Sequence, residues 1–300
     1  MVANSDMTAF PFRRIAIIGL GLMGGSLALA LRARGFSGSL LGAGGSAADL
    51  KLATAARDFG RPVFDLVAED PALLPWGGID LLILAVPPAH LTAYFSLAAQ
   101  RLPVTAVVTD LASVKGESLA YAESLFGSRF LSSHPLIGAE QHGFVAARAD
   151  LYCDYRCLLC RGVTEDVLVQ ARLRQFWEFL GAEVLVLDAK AHDESLAATS
   201  HLPHLLAFAY LELLGDQPDL ALLAGGGLRD FSRIAASDPQ LWADILLQNR
   251  SAVQKGLRRL QARLSVLDEE LGRGDHAALA AILERGQQAR SQFHFPASGG

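Results

Sequence analysis

Short apolar runs alternate with longer one-sided apolar stretches along the first two thirds of the chain. This rhythm predicts strands and helices in turn. Ile15–Ile18 is a β-branched run, followed by glycines and by an apolar stretch of helical character to Leu31. Ser39–Gly42 reads as a short strand and Ala47–Phe59 as a helix ended by Gly60. Asp80–Val86 is a continuous apolar strand stopped by Pro87 and Pro88, and Leu91–Arg101 is a helix. Val104–Thr109 is another strand, with a helix starting near Gly116. Arg129–Ser133 predicts a strand that ends at His134-Pro135. Arg156–Cys160 and Glu183–Leu187 predict two more, separated by a helix over Glu165–Leu180. Apolar strands alternating with helices imply a mostly parallel, doubly wound sheet.

The first strand opens into Gly19, Gly21 and Gly24, in G-x-G-x-x-G spacing. In such a turn the first glycine permits the tight reversal and the second lets the backbone approach a pyrophosphate. The third lets helix and strand pack closely. The helix N-terminus then offers free N–H groups to phosphate. Gly19, Gly21, Leu22, Met23 and Gly24 are therefore candidate dinucleotide-binding residues. The fold class expected is α/β, with a Rossmann-type doubly wound parallel sheet.

From Asp188 onward no strand pattern remains. Ala189–Leu214, Leu220–Ala236, Pro239–Leu271 and His276–Arg290 are predicted helices, with breaks at Gly215–Pro218, Gly225–Gly227 and Gly272. The expected organisation is a disordered leader over 1–12, a dinucleotide-binding domain over 13–187, an all-helical domain over 188–290 and a tail over 291–300.

Composition narrows the partners. Half of the chain is hydrophobic and 19% is charged, below the usual quarter, which leaves apolar surface for a subunit interface. A net charge of −5 without any cluster of five basic residues argues against nucleic acid. Ile15–Leu31 carries no charge and follows Arg13-Arg14, as a signal peptide or membrane span would. It is short for a span, contains four glycines and runs directly into Arg32 and Arg34, so no membrane association is expected. Three cysteines, an odd number, point to a reducing compartment and a cytoplasmic protein. Cys153, Cys157 and Cys160 have the spacing of an iron–sulfur loop. Cys157 and Cys160 lie on a predicted buried strand, which cannot converge its thiols, and structural thiols are the better reading.

Three strands end in loops capable of chemistry. Ala85-Val86-Pro87-Pro88 follows one, with Val86 and Pro87 placed toward a cofactor. Asp110–Gly116 follows another and carries Ser113 and Lys115. Ser132–Glu140 carries His134, which precedes a proline and is biased to extended backbone. An imidazole at a strand end can accept a proton near neutral pH. In the helical part, His201 and His204 share one helix face, as do Arg229 and Arg233. The arginines could grip carboxylates bidentately. His192, His201 and His204 could be read as metal ligands, but no Cys or paired carboxylate has suitable spacing, and no metal is expected.

Together the segments GLGLMGGSLA (19–28), AVPP (85–88), TDLASVKG (109–116), SSHPLIGAEQHGF (132–144), ATSHLPHLLAFA (198–209) and GGGLRDFSRIAASDPQLW (225–242) resemble the prephenate/arogenate dehydrogenase family. The resemblance runs over about 15–285, and its last segment is the most specific. It implies oxidative decarboxylation of a cyclohexadienol in tyrosine biosynthesis, with hydride passing to NAD(P)+, in a dimer formed by the helical domain. By matched position, His134 would take the proton of the C4 hydroxyl, and Ser113 would orient that histidine and the cofactor. His204 and Arg233 would bind the substrate, with His201 beside them, and Arg233 would hold a carboxylate. Glu140 and Asp230 would shape the pocket, and Trp242 would stand at the dimer interface near the partner's site.

Two positions depart from the family pattern. Where an acid often ends the second strand, this chain has Gly42-Ala43-Gly44-Gly45-Ser46. Such an acid hydrogen-bonds the ribose 2′-hydroxyl and repels a 2′-phosphate. Its absence favours NADP over NAD, or use of both, with Gly44 at the ribose-reading position. Ala139 stands where the family commonly has Ser or Thr. Two alternatives remain at this level. A β-hydroxyacid dehydrogenase or imine reductase shares the glycine opening but should place a catalytic lysine in the helical domain, where Lys190 and Lys255 match no such motif. A dinucleotide-sensing module has no need of Ser113, His134 and Arg233 together.

Overall fold

The computed structural model describes residues 10–137, 141–164, 166–215 and 217–293. They form two compact units: residues 1–193 with 237–248, and residues 194–236 with 249–300. The helical unit thus begins at Glu194, later than the boundary at 187 read from the sequence, and the segment holding Trp242 clusters with the first unit.

The first unit is built on five parallel strands. β1 (Arg14–Ile18), β2 (Ser39–Ala43), β5 (Leu66–Ala68), β6 (Leu81–Leu84) and β7 (Val107–Asp110) lie in the order β5-β2-β1-β6-β7. β3 (Arg57–Asp58) and β4 (Arg61–Pro62) form a separate small hairpin. β1, β6 and β7 are buried along nearly their whole length. That is the state demanded of parallel strands covered on both faces, and it explains the unbroken apolar run of β6 and the apolar runs over 15–18 and 106–108. A second sheet of β8 (Ser132–Pro135), β9 (Arg156–Arg161) and β10 (Glu183–Asp188) is linked to β7 through a bridge between Val108 and Phe130. β8 runs antiparallel to β9, and β9 runs parallel to β10. Strand order reverses between β1 and β6, so the ligand crevice of a doubly wound sheet opens at their carboxyl ends.

Helices α1 (Leu22–Ala33), α2 (Ala47–Ala55), α3 (Leu91–Arg101), α4 (Gly116–Phe126) and α5 (Val167–Phe179) complete this unit, with α9 (Pro239–Gln248). Trp177 and Phe176 of α5 are fully buried in the core with Ile15, Ile17, Leu27 and Leu31. The expected helix over Ala47–Phe59 stops at Ala55, because the Arg57 guanidinium donates to the carbonyls of Thr54 and Ala56 and the chain turns into β3. The three short strands β3 to β5 lack the length that makes a periodic pattern readable. Residues 10–12, read from the sequence as part of a disordered leader, are packed on the first unit. Phe12 is 1% exposed, Phe10 packs on Phe36 and Phe179, and the Arg172 guanidinium lies over the Phe12 ring. Residues 1–9 and 294–300 lie outside the described residues.

The second unit is helical. After α6 (Ala189–Leu196), a π-helical turn over Ala197–His201 leads into α7 (Leu202–Gly215). A 3-10 segment (Pro218–Leu223), α8 (Gly226–Ser232) and a 3-10 turn (Arg233–Ala236) follow, and α10 (Arg250–Arg273) and α11 (His276–Ser291) end the unit. The sequence predicts one helix over 189–214 and another over 239–271, and each is interrupted. Both interruptions meet at one contact. The buried Asn249 amide lies 3.1 Å from Nδ1 of His201, also buried. Asn249 takes φ −103°, ψ 25° between α9 and α10, and His201 ends the π turn. A side-chain pair of this kind leaves no trace in hydrophobic periodicity.

Candidate active site

The glycine turn is shaped by contact with β6. Gly19 has φ +100°, and a Cβ there would sit 2.3 Å from the Ala85 carbonyl oxygen. A Cβ on Gly24 would sit 2.0 Å from the carbonyl oxygen of Gly19. Gly21 has open space around it, and no side chain caps the N-terminus of α1. The loop therefore offers a clear approach to unclaimed helix N–H groups, the donor set that a pyrophosphate needs. Leu22 and Met23 form the first turn of α1, and Val86 and Pro87 follow β6 across the crevice. A dinucleotide fits this cradle.

The end of β2 is bound to the same turn. The N–H of Gly19 donates to the Ala43 carbonyl and that of Leu20 to the Gly44 carbonyl, at 2.8 and 2.9 Å. Gly44, Gly45 and Ser46 carry no carboxylate, and the acid that follows, Asp49, is already engaged. Its carboxylate accepts the N–H groups of Phe144 and Ser46 and the Ser46 hydroxyl. Burial pushes the Asp49 carboxyl up, but these hydrogen bonds together outweigh it and hold the group below the usual carboxylate value.

His134 sits on β8, 8% exposed. Its Nδ1 lies 2.9 Å from Nε2 of His192, and Nδ1 of His192 lies 2.8 Å from Oδ1 of Asp193. Asp193 also accepts the N–H groups of Lys115 and Gly116, at 3.0 and 2.9 Å. Burial lowers the His192 pKa, and the Asp193 hydrogen bond only partly opposes it. Burial raises that of Asp193, and the donors from His192, Gly116 and Lys115 pull it below the ordinary value. From the sequence, Ser113 has a part in orienting this histidine and the cofactor. Ser113 is half-buried in the turn after β7, and the residue at Nδ1 of His134 is His192.

A buried charge pair stands behind this strand. Nζ of Lys115 donates to the carbonyls of Ala112 and Ser133, at 2.6 and 2.9 Å, and lies 3.4 Å from Oδ1 of Asp110. Asp110 further accepts the Ala112 N–H and the Ser132 hydroxyl. Ser133 bonds Thr109 and accepts the Trp177 indole N–H. The two residues that precede His134 are thus held by polar groups with almost no solvent contact.

In the helical unit, the half-buried His204 donates from Nδ1 to the Ser200 carbonyl at 2.8 Å. That bond leaves Nε2 as an acceptor. Burial lowers the His204 pKa, and the neighbouring Arg233 adds to the effect against the Ser200 bond. Arg233 is exposed, and Arg229 pairs with Asp230 at 3.2 Å on the open surface. His201, expected beside the substrate, is buried, with the Asn249 amide 3.1 Å from its Nδ1. Trp242 is half-buried on α9. Glu140 and Ala139 lie outside the described residues. Cys157 and Cys160 are buried on β9 as structural thiols, and burial pushes Cys160 up to about 12.

Sequence reasoning missed His192 and Asp193 as partners of His134. The available signal was a His-Asp dipeptide a few residues beyond the end of β10, where chemistry collects in parallel sheets.

A glycine cradle at the β1/β6 switch point and a buried histidine at a neighbouring strand end define a nicotinamide-dependent dehydrogenase. The "prephenate dehydrogenase, nucleotide-binding domain" family matches residues 27–186, and the "prephenate dehydrogenase, dimerization domain" family matches residues 188–285. The chain belongs to the prephenate dehydrogenase family. It is 30% identical to a cyclohexadienyl dehydrogenase of Zymomonas mobilis, over 93% of this chain and 95% of that protein. It is 29% identical to a prephenate dehydrogenase of Lactococcus lactis, over 93% and 77%. Among solved structures, the prephenate dehydrogenase of Aquifex aeolicus with hydroxyphenyl propionate and NAD+ matches with TM-score 0.86. The identity is 30%, over 93% of this chain and 98% of that one. The arogenate dehydrogenase of Synechocystis matches with TM-score 0.80 and 27% identity, over 94% and 100%.

Proposed function

We propose that this chain oxidatively decarboxylates prephenate, arogenate or both, with His134 as the base. The observation that carries the reading is a buried imidazole on β8, at the same edge of the fold as an open pyrophosphate cradle. When bound, the oxidised nicotinamide supplies the hydride acceptor for ring C4. The chain's own part is proton handling and binding. His134 takes the C4 hydroxyl proton as the C4–H bond breaks. The electron pair of the C1–carboxylate bond then aromatises the ring and flows to the C4 oxygen, which regains a proton, and CO2 leaves. Arg233 and His204 bind the substrate, with Arg233 on a carboxylate, and Asp230 sets the charge of that face. Glu140 is assigned to the pocket by its sequence position alone.

NADP is accepted as well as NAD, and we infer a preference for NADP. The end of β2 itself lacks a carboxylate, and the ionised Asp49 beside it is engaged by Phe144 and Ser46, so no acid at the strand end claims the ribose hydroxyls or stands against a 2′-phosphate. The chain works as a homodimer through its helical unit. This reading is supported by the family domain over 188–285 and by Leu213, Leu222, Leu223 and Phe231, all exposed. A groove of about 640 Å³ between the Glu194–Leu202 segment and α10 adds surface of the same kind. Among the described residues, no helix is long and apolar enough to cross a membrane.

Steady-state assays crossing both substrates with both cofactors test this reading. Turnover of prephenate or arogenate by pure protein is expected, with kcat/KM higher for NADP. Absence of turnover with all four combinations would sink it.

A further inference from the structure

The chain of hydrogen bonds from His134 through His192 to Asp193 has a direction that the chemistry of its end group sets. An ionised carboxylate only accepts hydrogen bonds. Asp193 is held ionised by two backbone N–H donors at the start of α4. The proton in the 2.8 Å contact therefore belongs to Nδ1 of His192. A neutral imidazole carries one proton, so Nε2 of His192 is bare. The 2.9 Å contact between the rings then requires a proton on Nδ1 of His134.

We propose that His192 and Asp193 are positioning residues that fix the tautomer of His134. Asp193 keeps the His192 proton on Nδ1, His192 accepts a hydrogen bond from His134 Nδ1–H, and Nε2 of His134 is left unprotonated, the state a base requires. The inference rests on His134 being the base named above. It assigns a role in the reaction to two residues outside the substrate and cofactor contacts.

The surroundings favour this direction over its reverse. Asp193, Lys115 and Asp110 are the charged groups that face His192. The Lys115 ammonium disfavours a second positive charge, and burial does the same. On the adjacent strand β9, burial raises Cys157 and Cys160, which leaves both thiols neutral in the working range. As His134 gains the C4 hydroxyl proton, its new charge is stabilised through His192 by the one carboxylate at the end of the chain. The arrangement parallels the carboxylate that orients the histidine of serine proteases, where the wrong tautomer costs about 10⁴-fold.

Nitrogen-15 shifts of the histidine rings read the tautomer on protein free of substrate and cofactor. Neutral His134 should carry its proton on Nδ1, and a proton found on Nε2 would overturn the proposal. In Asp193→Asn the amide N–H₂ can donate to Nδ1 of His192, which reverses both rings. His134 should then show Nε2–H, and kcat should fall at least about tenfold with KM changed less than about threefold. The acid limb of log kcat should move to lower pH, because the His134 imidazolium loses a neighbouring negative charge. His192→Gln keeps an acceptor near Nε2 and should retain more activity than His192→Phe, which has none. Equal activity of the Gln and Phe variants, or an unchanged His134 tautomer in Asp193→Asn, would refute the relay. Lack of wild-type turnover would defeat the proposed function instead, and leave the tautomer measurement to decide this inference by itself.

Discussion

Near His134, Lys115 and Asp110 are buried, Asp193 is half-buried, and all three are engaged. Lys115 is 1% exposed, bonded to two carbonyls and set beside Asp110, and Asp193 collects three donors. In the helical unit, Arg229 and Asp230 stand 82% and 75% exposed, and Arg233 is also exposed. Electrostatic effects are strong where water is excluded and the dipoles are already oriented. Exposed ion pairs contribute about 0–1 kcal/mol. The nucleotide unit therefore holds its chemistry preorganised within its own fold. The helical unit holds candidate binding groups on open surface, where charge contributes strongly only once water is excluded.

His134→Ala should have the largest effect. Loss of a positioned general base lowers kcat by roughly 10²- to 10⁴-fold, with little change in KM. Steady-state kinetics with the better substrate measure it. A fall of less than about tenfold would remove the base from the buried side of the comparison.

Lys115→Met tests the same side through stability. It leaves the Asp110 carboxylate buried without its cation, and breaking a buried pair costs about 3–5 kcal/mol. Urea denaturation should show that loss, and Lys115→Met with Asp110→Asn should recover part of it. A loss below about 1 kcal/mol would place the pair among the exposed kind.

The two units also differ in how far the sequence announces them. β1, β6 and β7 are short, apolar and glycine- or proline-bounded, and the pattern places each within a few residues. Local chain chemistry also marks the cradle, since Gly19 and Gly24 are required by contacts with neighbouring backbone. The helical unit reads as helix throughout, yet its breaks at 197–201 and Asn249 come from one tertiary contact, His201 with Asn249. The relay is opaque for the same reason. His134 and His192 are 58 positions apart, and only the packing of the start of α6 against β8 brings them together. His201 and His204 look equivalent on a helical wheel, and only the fold shows that the first is buried and the second half-buried.

Arg233→Ala sharpens the exposed side. Arg233 neighbours His204 and is the candidate for the substrate carboxylate. Removing it should raise KM about ten- to a hundredfold, near 1.4–2.7 kcal/mol, with a smaller change in kcat. Arg229→Ala should change KM less than about threefold, because that guanidinium is paired with Asp230 in open solvent. If the two variants exchange effects, the carboxylate belongs to Arg229.

Gly44→Asp should have the smallest effect, and it probes a place where the nucleotide unit lacks a charge. Gly44 has φ +72°, a conformation that Asp and Asn tolerate better than most residues. A Cβ there would lie 3.6 Å from Pro71 Cγ and 3.7 Å from Ile18 Cγ2, ordinary contacts. The new carboxylate would accept hydrogen bonds from ribose hydroxyls and repel a 2′-phosphate in a poorly hydrated cleft. The ratio of kcat/KM for NAD over NADP should rise at least about tenfold, or 1.4 kcal/mol. Gly44→Asn carries the same backbone strain without the charge. It should leave the ratio within about threefold of wild type, since neutral amides neither repel nor neutralise phosphate. A shift shared equally by both variants would assign the effect to the altered turn. No shift in either would mean that Gly44 does not face the ribose, and the cofactor preference would then have to be set elsewhere along the crevice.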